Sequence, residues 1–273
     1  MGYVEYKAAG TAGQPSPAIW ADFSALKVKA SPGEFVEVWD DFYGSFAANA
    51  TQIGMWQMVG TNPDSAVVTD ETANGVINIS GSGAGDDEAY LVSNLLVNEA
   101  IKRYSGKRVW FETSIKMEDV DADVSIIAGL GESALLAANA IADDPHTYPT
   151  TALADYDFIG FMAGTDGTNM GGIDAVYHQD GDSGTVTVVK ADVASVSGKE
   201  LADDTYVKLG FSFDGKETVT FYVNGVAETT TLDLDDLTGD KLDDALGIIV
   251  GIKDDAGGTD DLKIDWIRFG AEK

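Results

Sequence analysis

The stretch LGFSFDGKETVTFYVNGVAETTTL, Leu209–Leu232, decides the fold of this chain. Val219, Phe221 and Val223 alternate with Thr218, Thr220 and Tyr222, the period of a strand with two unlike faces. Asn224-Gly225 follows at once, and Val226 opens the next run. Asn-Gly between two alternating runs marks a tight hairpin, because a type I′ turn needs positive φ at both central residues. Asp214-Gly215 forms a similar turn one strand earlier. The stretch Lys208–Leu232 therefore reads as an antiparallel meander, expected in the middle of one sheet.

Working outward, further strands appear on both sides. Val109–Met117 alternates: Val109, Phe111, Thr113, Ile115 and Met117 face one way, Trp110, Glu112, Ser114 and Lys116 the other. Val124–Leu130 and Leu246–Ile252 are apolar throughout, as buried strands are. Asp157–Ala163, Ile173–Gln179 with Thr185–Ala191, Ala66–Thr69 with Val76–Ile79, Trp56–Val59 and Glu88–Val92 add more. Leu262–Phe269 closes the series, with Leu262, Ile264, Trp266 and Arg268 expected on one face. Leu95–Tyr104 reads as a short helix or an irregular crossing, and Ser133–Ile141 as a helix capped by Ser133. About a dozen short strands without a β-α alternation predict two stacked antiparallel sheets. Long crossings such as Leu232–Leu246 favour a jelly roll. The fold class is all-β: a two-sheet antiparallel jelly-roll sandwich over 39–273, with a short inserted helix and an extended N-terminal arm.

The arm, residues 1–38, is broken by Gly10, Gly13, Pro15, Pro17, Pro32 and Gly33. It nevertheless carries Tyr3, Tyr6, Ile19, Trp20, Phe23, Leu26 and Phe35, too many large apolar groups for a disordered tail. Such an arm lies on something, either its own domain or a neighbouring subunit. In the second case Tyr3, Tyr6, Ile19, Trp20, Phe23 and Phe35 are the expected partner-binding anchors.

Charge narrows the partners. Lys and Arg number 17 against 46 Asp and Glu, a net charge of −29. Such a surface repels phosphate backbones and anionic lipid, so neither nucleic acid nor membrane is an expected partner. The absence of cysteine excludes disulfides, thiolate catalysis and thiolate metal sites. The first ten residues lack a basic region followed by an apolar run and do not read as a signal peptide. No apolar run approaches the ~20 residues a membrane helix needs.

Candidate chemistry is sparse. A retaining glycosidase needs two carboxyls ~5 Å apart, and the alternating pattern Glu-x-Asp-x-Glu is absent. Glu112 stands alone on its strand with Lys116, and Asp265 lies beside Lys263. Glu118–Asp123 and the loop carrying Asp254, Asp255, Asp260 and Asp261 are acidic, but neither has the glycine and distal glutamate of an EF-hand. They read as solvated turns. His146 and His178 stand apart and read as surface or structural residues. Trp56, Trp110 and Trp266 suit sugar stacking only if exposed; core positions are favoured. No catalytic residue, metal site or cofactor is implied.

Several stretches together resemble a known family. WDDF (Trp39–Phe42), RVWFETSIKM (Arg108–Met117), the run Asp119–Glu132, DFIGF (Asp157–Phe161), Leu209–Val226 and LKIDWIRF (Leu262–Phe269) resemble the concanavalin A-like lectin/glucanase, or laminin-G-like, jelly rolls. More narrowly they resemble tailed-bacteriophage virion proteins of that fold. The resemblance covers most of residues 39–270. It implies a non-enzymatic structural protein, a capsid decoration or cement protein on the outer surface of the virion. Its partners are then the major capsid protein and neighbouring copies of itself, as a homo-oligomer and by resemblance a trimer. The acid cluster of the glucanases has no matching positions here, so no catalytic residue carries over. The alternative is a carbohydrate-binding module or tail-fibre receptor-binding protein, with a glycan as partner and Trp56, Trp110 or Trp266 exposed beside an acidic loop.

Overall fold

A computed structural model describes residues 14–23, 28, 31, 33–42, 52–60, 63–69, 75–81, 87–120, 124–132, 156–164, 172–179, 187–190, 201–237, 242, 244–254 and 261–273. A single helical turn, α1 (Pro17–Trp20), comes first. Strands follow as β1 (Phe35–Asp40), β2 (Gln52–Ile53), β3 (Trp56–Val59), β4 (Pro63–Thr69), β5 (Val76–Gly81) and β6 (Asp87–Val97). Next come β7 (Val109–Met117), β8 (Val124–Glu132), β9 (Phe158–Gly164), β10 (Ile173–His178) and β11 (Thr187–Lys190). The chain ends with β12 (Val207–Phe213), β13 (Thr218–Val223), β14 (Val226–Asp233), β15 (Leu246–Asp254) and β16 (Asp261–Glu272).

The strands form two antiparallel sheets. Sheet A runs β14-β13-β12-β7-β16-β5-β4, with β1 also paired to β16. Sheet B runs β11-β10-β9-β8-β15-β6-β3-β2. The inner faces meet in one core that includes Phe111, Phe211, Phe221 and Phe269 of sheet A, and Ile126, Phe161 and Val250 of sheet B. The two stacked antiparallel sheets form the jelly-roll sandwich expected from the sequence. No helix among the described residues is long and apolar enough to cross a membrane.

The local signals in the meander are met. Asn224 and Gly225 have φ of 51° and 76°, as the type I′ turn requires. Its position differs from the expectation: β14 is the edge of sheet A, and β12 joins the interior through β7. Leu95–Tyr104 is no helix, because β6 continues to Val97 and the chain then turns. The Leu232–Leu246 crossing holds a 3-10 turn at Leu234–Asp236. The expected helix at 133–141 and His146 lie outside the described residues. Strand β1 starts at Phe35 and runs across position 38, so the sheet takes in the end of the arm.

The last strand departs from simple alternation. A bulge between Ile264 and Trp266 shifts the period of β16 against β7. Leu262, Ile264, Ile267 and Phe269 enter the core. Trp266 and Arg268 consequently stand on the outer face of sheet A, and Asp265 sits in the bulge. Bulges re-aim side chains in this way.

Candidate functional site

The outer face of sheet A carries the features of interest, and the motif Trp39-Asp40-Asp41-Phe42 organises one end of it. Val36 and Val38 of β1 turn to the core, so Trp39 turns outward. Asp40 accepts hydrogen bonds from the Phe42 N–H and the Trp56 indole N–H, both at 2.8 Å, and so ties β1 to β3 of the opposite sheet. Phe42 is fully buried at a φ of 52°, packed on Trp56 at 6.0 Å. A bulky residue held in that left-handed region is strained, and the Asp40 carboxylate holds it there.

Trp39 is 45% exposed and stacks on buried Trp266, with ring centroids 6.2 Å apart and planes within 4°. Arg268 lies beside Trp39 at 4.9 Å and over Trp20 at 4.0 Å, and pairs with Glu37 at 3.0 Å. Asp265 is 7% exposed, and its carboxyl accepts no hydrogen bond from the described residues. Burial, and then the charge of Asp41, push its pKa up to about 6. Trp266, on which the exposed indole stacks, follows Asp265 in the chain, and Asp41 lies two positions beyond Trp39, so the two carboxyls sit at the same end of the face, with no donor to either among the described residues. Such a group of side chains takes hydroxyl donors on its carboxyls and an apolar sugar face on its ring. The carboxyl pair also suits a proton or a hard cation.

The other end of the same face is closed by the N-terminal segment. The Ser16 N–H and the Trp20 indole N–H both donate to Glu112 Oε2, at 2.8 and 2.7 Å. Glu112 is completely buried; burial pushes its pKa up, while the donors at Ser16 and Trp20 and the nearby Lys208 oppose that shift. Lys208 Nζ donates to the Gln14 carbonyl at 3.3 Å. Phe23 meets Trp110 edge-on at 5.1 Å, and Phe35 at 6.4 Å.

A third group sits where the 99–107 loop meets the meander. Tyr104 is 61% exposed, at a φ of 54°, and its hydroxyl bonds to Glu217 at 2.7 Å. Carboxylate oxygens of Glu217, Asp233 and Asp235 lie within 4.8 Å of one another. Arg103 supplies the counter-charge there, paired with Asp235 and lying over the Tyr104 ring at 4.8 Å.

The residues singled out in the sequence fall as follows. Ile19, Trp20 and Phe23 are buried, and Phe35 is partly buried, in one cluster with Trp110 of this chain. The reason is that sheet A presents a buried carboxylate and an aromatic bed to receive them. Tyr3 and Tyr6 lie outside the described residues. Trp56, Trp110 and Trp266 are 2% exposed or less, so none is the exposed stacking residue the alternative reading required. Trp39 and Tyr104 hold that position instead. His178 is buried and bonds the Tyr156 carbonyl through Nδ1 at 2.8 Å, a structural role. In the acidic turns, Glu118 lies 3.7 Å from Lys263, and Asp261 accepts from Asn78 at 2.7 Å.

No family model matches the chain, and no curated protein matches it. Solved structures do. An endo-1,3-beta-glucanase from Streptomyces sioyaensis is 11% identical, with 89% of this chain and 98% of that one covered and a TM-score of 0.55. Peanut lectin is 13% identical over 87% of this chain and 97% of that one, at a TM-score of 0.54. A glycoside hydrolase family 16 endo-glucanase from Bacteroides ovatus is 14% identical over 85% and 99%, at 0.53. Likeness at these identities carries the fold alone, and that fold is common to enzymes and to lectins. The chain has the concanavalin A-like jelly-roll fold.

Proposed function

We propose that this chain is a glycan-binding module that binds without cleaving its ligand. The observation that carries the reading is Trp39, exposed on top of buried Trp266 beside Asp41 and Asp265. Sugar rings present an apolar face that stacks on an aromatic plane, and their hydroxyls donate to carboxylates. The stack on Trp266 fixes the Trp39 plane before a ligand arrives, which lowers the ordering cost of binding. Binding rather than hydrolysis is supported by Glu112. This outward carboxylate of β7 is sealed under the N-terminal segment and accepts its two N–H groups. The lectins and glucanases of similar structure support a carbohydrate ligand by analogy of fold.

A glycan array probed with the full chain tests the reading. Trp39→Ala is expected to abolish the signal, while Val226→Ala, at an exposed residue of β14 away from Trp39, leaves it intact. A signal unchanged by Trp39→Ala, or no signal with any glycan with or without chelator, overturns it. A decoration role on a bacteriophage capsid is the second proposal, supported by the discrete aromatic segment 14–23 that docks on a sheet as a unit. Copurification with an icosahedral shell, lost on deleting residues 1–34, which leaves β1 whole, is its expected signature.

A further inference from the structure

The segment 14–23 and the surface it covers form a matched pair whose contacts are independent of how the two are joined. Glu112 receives one backbone N–H and one indole N–H from residues 96 and 92 positions away. Lys208 reaches the Gln14 carbonyl across 194 positions. The sheet is hollowed to admit the segment. A Cβ at Gly210 would stand 2.7 Å from Ile19 Cδ1, one at Gly225 2.8 Å from Ser16 Cβ, and one at Gly270 2.6 Å from the Phe23 ring. The groove therefore recognises a peptide: main chain at 14 and 16, apolar side chains at 19 and 23, and an indole at 20.

The docking is also incomplete. Glu112 Oε1, Ser16 Oγ, and Arg268 Nε and Nη1 are buried without a hydrogen bond to protein, as is Ser114 Oγ on the same face. Each unmade bond of this kind weakens the docked state. The segment is held by shape, by two short hydrogen bonds to Glu112, by the longer Lys208–Gln14 bond and by Arg268 over the Trp20 ring, and the unmade bonds offset part of that gain.

We propose that the groove on the outer face of sheet A takes the segment 14–23 of a second copy of this chain, so that copies link by exchanging segments. Every copy carries one groove and one matching segment, and exchange reuses contacts already formed. Charge favours the same partner in the same mode. At a net charge of −29, two copies repel across any broad face. The segment QPSPAIWADF has one acidic residue, Asp22, and the groove it enters is close to neutral, its Lys208, Arg268 and Arg108 standing beside Glu112, Glu37 and Glu272, so exchange through the segment meets little of that repulsion. Residues 24–34 connect the segment to β1, a length of chain that spans up to ~36 Å when extended. In dilute solution the tether holds a copy's own segment at an effective concentration on the order of mM, so it wins its own groove. Exchange takes over where copies are crowded. This inference does not depend on the glycan reading.

A photo-crosslinker placed at exposed Ala21 tests it in the full chain. Isotopically heavy and light protein are mixed, irradiated over a range of concentrations and digested. The expected result is heavy–light adducts joining the segment to β7, β12 or β16 peptides, rising with concentration. Gly210→Leu, which fills the groove, and Trp20→Ala, which removes the indole, are each expected to cause loss of those adducts; the second serves if the first does not fold. Adducts that stay heavy–heavy and light–light up to the solubility limit overturn the proposal. So do heavy–light adducts that survive Trp20→Ala or that join the segment to residues away from the groove.

Discussion

Glu112 and Asp265 lie on one face of one sheet and meet the same penalty in opposite ways. Both are carboxyls taken out of water, and in both burial is the largest cause of a raised pKa. Glu112 sits under two N–H donors brought by the N-terminal segment, with Lys208 nearby. Asp265 has no donor among the described residues, and the charge that acts on it is that of another acid, Asp41. The first carboxyl is thus architecture, the receiving point for a docked peptide. The second is an open valence at the exposed end of the face. Arg268 stands between the two, touching Trp20 on one side and Trp39 on the other.

The largest expected effect comes from breaking the closed end. Glu112→Ala strands the Ser16 and Trp20 N–H groups, and hydrogen bonds to a charged group contribute about 1.5–3 kcal/mol each. Because the segment can lift away and rehydrate, the net loss is expected at about 3 kcal/mol rather than the full sum. Urea denaturation reads it as a lower midpoint, and limited proteolysis reads it as cleavage within 14–23. A loss under about 1 kcal/mol, within the range of an ordinary surface substitution, with the segment still protected, contradicts the assignment of Glu112 as the anchor.

The open end differs in its pH response. Asp265 is pushed up to a pKa of about 6 in the folded state, from an ordinary value of 3.8. A raised carboxyl favours the folded state at low pH, where it is protonated, and that advantage is lost as pH rises through 6. Stability contributed by this group is therefore expected to fall by about 1–2 kcal/mol between pH 4 and pH 7, after allowance for its partial solvation. Asp265→Asn removes that slope and is expected to be the more stable protein above pH 6. Thermal melts of both proteins across this range measure it, and parallel curves overturn the claim that Asp265 is strained by charge.

Much of this molecule is legible locally, and the site is not. The alternation in β7 and β13 and the Asn224-Gly225 turn reveal strands and a hairpin because those signals act between neighbours. The place of the meander at the edge of sheet A depends on β12 pairing with β7, a distant choice that the local pattern does not encode. The bulge at Asp265 hides in LKIDWIRF, where apolar residues on both faces make two registers look alike. Only the spacing of Ile264 and Ile267, both in the core, betrays the extra residue. The three stacking candidates legible in the sequence, Trp56, Trp110 and Trp266, are buried, and Trp39 is not among them. Trp39, at the end of β1, is the one left in solvent. Gly210 and Gly270 read as ordinary strand glycines; a Cβ at Gly210 would meet Ile19 and equally the Phe111 carbonyl of β7, and one at Gly270 would meet the Phe23 ring.

The smallest expected change in stability is at Trp39, where the comparison is sharpest. A stacked aromatic pair contributes about 0.5–1.5 kcal/mol beyond burial, and an exposed cation–π contact about 0.5–1 kcal/mol. Trp39→Ala loses both but leaves the core intact, so the destabilisation is expected at about 1 kcal/mol, well below that of Glu112→Ala. Ligand binding is expected to disappear over the same substitution. That split, large for function and small for folding, is the signature of a residue kept exposed for contact. If Trp39→Ala instead unfolds the protein as readily as Glu112→Ala, then Trp39 is a lid over Trp266 and Arg268. Both ends of the face would then be architecture, and the open valence at Asp265 would have no platform beside it.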